Sequence, residues 1–469
     1  MTDAEFLERL AAIVGAAHVL TQEDDKAGYL VEPRDLYRGR ALAVVRPGAT
    51  SEVAAVLALC EATRRPVVPQ GGNTGLVGGQ IPDGTGRAIL LSLARMTRVR
   101  EVDPTSNTMT IEAGATLASA QDAAAGADRL YPLSLASEGS CTVGGNLSTN
   151  AGGTAVIAYG NARDLVLGLE VVLADGRVVS SLGKLRKDNT GYDLKHLFMG
   201  AEGTLGVITA AVLKLFPKPR AIETAFIGIA SPARALDLLA LAQAQAGAGV
   251  TTFELIPRVG VDFVLRHAAG SRDPLEAPHA WYVLLELSST QERGLDETMA
   301  AILETALAAG VIDDATTAAS SAQRDAFWSL RERLSDVQKN EGGSIKHDVS
   351  VPVARVPEFI EAASRVVLER EPDGRIVAFG HVGDGNIHFN VSQPVGGDKA
   401  AFLARWEEIN AAVHAVVLAM GGSISAEHGI GQLKRDLLPG AKDAVALDVM
   451  RAIKRALDPN GIMNPGKVF

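Results

Sequence analysis

The chain has 469 residues, with 45 Lys and Arg against 55 Asp and Glu, a formal net charge of −10 and a pI near 5.5, which is not the balance of a nucleic-acid-binding protein. At roughly 150 residues per domain this length suggests about three compact units or two large ones, and 47% hydrophobic against 21% charged residues exclude wholesale disorder. Cys60 and Cys141 allow at most one disulfide, which excludes a disulfide-held miniprotein and a cysteine zinc site and points to a reducing compartment.

The amino terminus MTDAEFLERL carries Asp3, Glu5 and Glu8 and fits neither a secretory signal nor an acid-poor transit peptide, so residence in the cytoplasm is expected. Leu42 to Val45 is a short apolar run. Ser51 is placed to cap the helix that follows, whose apolar stripe Val53, Val56, Leu57, Cys60 puts Cys60 in the core. Arg64 and Arg65 close that helix, and Val67-Val68 starts the next strand, a βαβ-like entry into a glycine loop. Leu165 to Ala174 and Arg177 to Ser180 flank Asp175-Gly176, a pair suited to a two-residue hairpin turn, so the first half mixes parallel and antiparallel pairing. In LKLFPKPR, Leu213 to Arg220, Pro217 and Pro219 break helix and ladder alike and mark a domain boundary.

Beyond it, Thr224 to Ala230 reads as a strand, Ser231-Pro232 as the start of a helix over Ala233 to Ala246, and Trp281 to Leu287 as a strand. Pro357 to Leu368 is helical, Arg375 to Gly380 and Ile387 to Val391 are strands, and Ala401 to Met420 is a helix. That order predicts an antiparallel sheet with helices on one face. No stretch approaches the roughly 18 apolar residues of a membrane span.

Three glycine loops stand out in the first half. Pro69 to Gly79, PQGGNTGLVGG, follows a strand and can turn several backbone N–H groups inward as an anion nest. Ser137 to Gly153, SEGSCTVGGNLSTNAGG, adds hydroxyls, and GAEGTLGVIT runs from Gly200 to Thr209. Each alone is a tight turn; three together point to a large phosphate-bearing ligand. There is no GxGxxG opening a helix and no GxxxxGK[ST], so the nucleotide cradle is of another kind.

In HVGDGNIHFN, His381 to Asn390, a two-residue turn at Asp384-Gly385 would set His381 directly opposite His388, with Asn390 on the same face. SAEHGIG, Ser425 to Gly431, adds Glu427 and His428. Two histidines and a carboxylate suit zinc and leave a coordination site for substrate; manganese or cobalt could substitute. Arg331 lies one helical turn before Ser335, and Lys346 opens the strand KHDVSVPV. On sequence alone these cations are a solvated helix face and a charge run.

PQGGNTG, SEGSCTVGGNLSTNAGG, GAEGTLGVIT and the terminal NPGK together resemble the vanillyl-alcohol-oxidase-like flavoproteins, and within them the FAD-linked D-2-hydroxyacid dehydrogenases, over nearly the whole chain. The resemblance implies an α+β protein: a two-subdomain FAD-binding domain (1–217), an antiparallel-sheet substrate or cap domain carrying the His-His hairpin (218–420), and a C-terminal segment (421–469) that returns to the flavin. It implies FAD contacts at Gly71, Gly72, Asn73, Thr74, Gly75, Leu76, Ser137, Gly139, Thr142, Gly145, Asn146, Thr149, Gly152, Glu202, Gly203, Ile208 and Asn464. Some members attach flavin through a histidine in the first loop; Asn73 stands in this loop, which holds no histidine, so dissociable FAD is expected.

The resemblance further implies a divalent metal, zinc by chemistry, on His381, His388 and Glu427, and substrate carboxylates at Arg331, Ser335 and Lys346. Serine at 335 departs from the family's common threonine, keeping the hydroxyl and losing the methyl. The expected reaction is oxidation of a D-2-hydroxy acid, with His428 as base and Arg331, Lys346 and Asn390 favouring a dicarboxylate, D-2-hydroxyglutarate or D-malate, over D-lactate. An electron-transfer flavoprotein or a quinone is the implied acceptor and a homodimer the family-level expectation. A non-catalytic flavin electron-relay subunit would need the glycine loops but not the His and Glu set; an NADPH-linked reductase on the same flavin domain is a lesser option.

Overall fold

The short apolar runs of the first hundred residues become β1 (Val19–Leu20), β2 (Ala43–Val45), β3 (Val67–Gln70) and β4 (Ile89–Ser92) in a computed structural model that describes residues 1–469. β2, β4 and β3 pair in parallel and β1 joins antiparallel, in the order β1-β2-β4-β3. β2 and β4 are buried along their whole length, as parallel strands covered on both faces must be. Helix Thr50–Thr63 links β2 to β3 and buries Val53, Val56, Leu57 and Cys60. Its N-cap is Ala49, not Ser51, and has no side-chain cap bond. The Gly48 N–H, just ahead of the cap, donates to the Glu52 carboxylate at 2.7 Å, and Glu52 is an acidic residue in the helix's first turn.

The next sheet comprises β5 (Val99–Asp103), β6 (Thr108–Glu112), β8 (Val166–Val172), β9 (Val178–Ser181) and β10 (Val207–Lys214), antiparallel in the order β5-β6-β10-β8-β9, while β7 (Arg129–Leu130) pairs β11 (Phe216–Pro217). The turn between β8 and β9 is longer than two residues. Val172 pairs Val178, the Leu173 N–H donates to Arg177 O, and Gly176 sits at φ 84°, a three-residue loop ending in the left-handed residue that closes such hairpins. These elements make one unit of Met1–Gly152, Gly160–Lys218 and Glu427–Phe469; the other is Gly153–Tyr159 with Pro219–Ala426. The boundary falls between Lys218 and Pro219, amid the two prolines of PKPR, and the chain re-enters the first unit at Glu427.

The second unit holds β12 (Ala221–Ile229), β13 (Val250–Pro257), β14 (Trp281–Ser289) and β15 (Asp314–Thr317) in the antiparallel order β13-β14-β12-β15. β16 (Ser344–Ile345), β17 (Asp348–Ser350) and β18 (Arg375–Phe379) all pair β19 (Asn386–Ser392). Leu255 and Gly380 exchange both backbone hydrogen bonds, at 2.9 and 3.0 Å, and so join β13 to the end of β18. Alternation along β12 and β14 then loads both faces. Ala225, Ile227, Val283 and Leu285 pack with helices Pro232–Ala246 and Leu295–Ala308. Phe226, Tyr282 and Leu284 pack with Val261 and Phe263 of helix Arg258–His267 and with Phe327 and Leu330 of helix Ser321–Glu332. The expected single helical layer is therefore two. The helix expected over Ala401 to Met420 divides into Lys399–Leu403 and Trp406–Ala419. No helix is long and apolar enough to cross a membrane.

Candidate active site

β3 ends in the first glycine loop, and the backbone N–H groups from Gly71 through Val77 donate to no protein acceptor. Half-buried amides in such a run need an anion or solvent to satisfy them. The loop is held open from outside. Asn73, at φ 55°, donates through its side-chain amide to Gly28 O and Val31 O at 3.1 and 2.9 Å, and Gln80 donates to Asn73 Oδ1 and Gly75 O at 3.2 and 2.9 Å. Thr74 and Leu76 are half-buried beside them. A Cβ on Gly72 would lie 1.8 Å from Ser140 O, and one on Gly71 2.3 Å from Thr142 Oγ1, so the first loop is stacked against the second by the absence of side chains.

In the second loop Ser137 O accepts the Ser140 and Cys141 N–H groups, while Gly139 faces open space. Thr142 caps helix Val143–Thr149 through Gly145 N–H at 3.3 Å, Thr149 donates to Gly145 O, and buried Asn146 lies 3.6 Å from Cys141 Sγ. These hydroxyls thus serve the loop's own backbone. Gly203, at φ 71°, packs on Pro69, and Ile208 is buried in β10. A site of bare amides between two interlocked glycine loops fits the pyrophosphate of FAD.

The carboxylate of Glu202, a residue expected among the flavin contacts, accepts Ile430 N–H and Gly431 N–H, both at 2.7 Å. Burial pushes its pKa up, and those two amides offset part of that shift. It anchors the segment immediately after Glu427 and His428, and Glu427 itself packs against Gly152, whose added Cβ would lie 3.3 Å from Glu427 Cγ. Asn464, at φ 43°, donates to Gly79 O and Glu202 O at 3.0 and 2.7 Å, which brings the carboxyl tail onto the same loops.

In the second unit the hairpin register departs from the expected one. His388 lies opposite Phe379 on β18 and opposite Asp348 on β17. Gly380, at φ 141°, turns away to pair Leu255, and residues 381–385 form successive turns, Asp384 N–H to His381 O and Gly385 N–H to Val382 O. His381 is consequently a diagonal neighbour of His388, not a direct one. The two rings still meet, with centroids 5.5 Å apart at 78° and ligating nitrogens within 4.8 Å.

Asn390, opposite Val377, shares their face and donates to Gln338 Oε1 at 2.8 Å. The register that pairs Ser344 with Ser392 and Asp348 with His388 sets Lys346 opposite Asn390. Its Nζ reaches Ser335 O at 3.1 Å; Ser335 itself is exposed. Arg331 is 7% exposed, with its guanidinium 4.7 Å above the Phe379 ring and its Nε donating to Glu254 at 2.6 Å.

Glu254 is the residue that sequence reasoning missed. It is fully buried, and its other oxygen meets His381 Nδ1 at 2.5 Å. Burial alone would raise its pKa, but His381 and Arg331 outweigh it and hold the carboxyl at about 2. The available signal was an acid inside the apolar run of β13, a place where carboxylates occur only when paired. At the end of this unit Ala426 N–H donates to Asp348 O, beside the His388 register, and Glu427 and His428 follow in the chain. Within this unit His381 and His388 offer two imidazole ligands to a metal ion, while Glu427, the third ligand expected from the sequence, opens the returning segment of the first unit.

This combination of glycine cradle and histidine-bearing sheet is that of an FAD-linked oxidoreductase: residues 41–181 match the FAD binding domain and residues 218–468 the C-terminal domain of FAD linked oxidases, and the chain belongs to that family. It is 38% identical to the mitochondrial D-2-hydroxyglutarate dehydrogenase of Danio rerio over 92% of this chain and 79% of that one. It is 35% identical to the D-2-hydroxyglutarate–pyruvate transhydrogenase of Saccharomyces cerevisiae over 99% and 94%. The fold is shared with p-cresol methylhydroxylase solved with substrate bound, at a TM-score of 0.76 and 18% identity over 99% of this chain and 96% of that one. The vanillyl-alcohol-oxidase type of fold read from the glycine loops is thus the fold of the molecule.

Proposed function

We propose that this chain oxidises D-2-hydroxyglutarate to 2-oxoglutarate. The observation that carries the reading is the single sheet face on which the His381–His388 pair, Asn390 and Lys346 lie together, with Arg331 packed over it. Two cations on one face suit a substrate with two carboxylates, and the names of the zebrafish and yeast relatives support the same acid. Bound FAD supplies the acceptor for the hydride of the α-carbon. A divalent ion, zinc by the donor set, would be held by His381, His388 and Glu427 and supplies Lewis acidity at the hydroxyl.

The remaining work falls to the chain's own side chains. Arg331 and Lys346 bind and orient the carboxylates by charge-assisted hydrogen bonds. Asn390 is fixed by Gln338 and offers a neutral polar contact on the same face. His428 Nε2 or Nδ1 takes the hydroxyl proton as hydride leaves, so that the hydroxy acid loses a hydride and a proton, two electrons and two protons in all, to yield the keto acid. An electron-transfer flavoprotein or a quinone re-oxidises the cofactor. The activity resides in the cytoplasm, a reading supported by the two buried free thiols Cys60 and Cys141.

Anaerobic mixing of the flavin-loaded protein with D-2-hydroxyglutarate, D-malate and D-lactate tests this. Bleaching of the flavin is expected fastest with the five-carbon dicarboxylate and at least about 100-fold slower in His428→Ala. Faster bleaching by D-lactate, or none with any of the three acids, would refute the substrate reading.

A further inference from the structure

A closed ring of contacts runs through the second unit's site. Glu254 Oε2 holds Arg331 Nε at 2.6 Å and Glu254 Oε1 holds His381 Nδ1 at 2.5 Å. The His381 ring meets His388 at 5.5 Å, His388 meets Phe379 at 5.1 Å, and the Arg331 guanidinium lies 4.7 Å over Phe379. We propose that Glu254 is a positioning residue that sets the metal-binding histidine and the substrate-binding arginine as one unit. The inference rests on the function proposed above and adds the group that aligns its two halves.

The chemistry follows from a carboxylate's two oxygens, both acceptors. Accepting Nδ1–H of His381 fixes that tautomer and leaves Nε2 as the ligating nitrogen. Accepting Nε–H of Arg331 fixes the plane of the guanidinium, while Phe379 holds its face, so its two terminal nitrogens are presented in one orientation. No neutral side chain of the same shape does both. Glutamine has one acceptor and one donor, so satisfying His381 sets an N–H against Arg331 Nε–H.

Flavin-loaded wild type, Glu254→Gln, Glu254→Asp and His388→Ala, stripped with chelator and titrated with Zn²⁺ against a chromogenic competitor, test this. Glu254→Gln is expected to weaken zinc binding about 10- to 100-fold. At saturating zinc it should still show a KM for D-2-hydroxyglutarate raised roughly tenfold, with a smaller change in kcat. Glu254→Asp, which keeps both acceptors on a shorter stem, should fall between, and it carries the test if the amide variant does not retain flavin. Zinc affinity within twofold of wild type in both variants would overturn the role toward His381, and a normal KM at saturating zinc would overturn the role toward Arg331. If His388→Ala weakens zinc and the Glu254 variants do not, this inference alone fails. If wild type and His388→Ala bind zinc equally, the metal reading fails and takes this inference with it.

Discussion

Glu341 gathers two arginines and a histidine at the start of β18, and its replacement by glutamine should cost stability in a pH-dependent way. Its side chain is 7% exposed and accepts from Arg266 at 2.5 Å, His267 at 2.6 Å and Arg375. Arg266 and His267 end helix Arg258–His267 and Arg375 begins β18, so this carboxylate ties that helix to the strand leading to Phe379 and His381. Burial would raise its pKa, but Arg375, His267 and Arg266 together lower it from 4.5 to about 2. A depressed carboxylate pKa contributes stability that is present above the unfolded value and lost as pH falls through the folded one, here from pH 4.5 down to about 2. The size is on the order of 3 kcal/mol. That corresponds to about 6–12 °C in midpoint for a unit of roughly 200 residues. Thermal unfolding of wild type and Glu341→Gln at a fixed scan rate should show that gap at pH 7 and a steady narrowing below about pH 4.5. Added salt should narrow it too, because Arg266 is 58% exposed and its share is screened. A gap that is the same at pH 7 and pH 3.5, or no gap at pH 7, would refute the reasoning.

Gly72→Ala places a Cβ against Ser140 O and should yield protein without bound flavin, seen as loss of visible absorbance after gel filtration. Glu202→Gln leaves one of two buried N–H groups facing a donor, at roughly 1–3 kcal/mol, and should slow flavin reduction about tenfold while FAD content stays normal. Acid or heat denaturation should release intact FAD into the filtrate, since the first loop carries Asn73 and no histidine; flavin retained on the denatured chain would contradict that.

The glycine loops and the His, Glu and cation set were legible because each is short in sequence and chemically unusual. What escaped was set by distant partners. His381 and His388 were brought together correctly, but the register of β18 and β19 is fixed by Gly380 pairing with Leu255, a strand more than a hundred residues earlier, and no local turn signal carries that information. Glu254 was missed for the same reason: its partners His381 and Arg331 lie 127 and 77 residues away. Ser51 had the right residue type for a cap, but the helix begins one residue earlier, at Thr50, with Ala49 in the extended cap position. The second helical layer was hidden because it is made by helices Arg258–His267 and Ser321–Glu332, whose apolar faces are matched by alternate residues of β12 and β14 rather than by any feature of their own.

The tail has a consequence for how the molecule is made. β3 ends the parallel sheet, and its outer side is covered only when Val67 N–H donates to Ile462 O and Asn464 N–H donates to Val67 O. A nascent chain therefore exposes an adhesive strand flank beside the first glycine loop until residue 464 leaves the ribosome. Mutations that remove or disturb residues 462–464 should then act as aggregation lesions rather than as simple losses of activity.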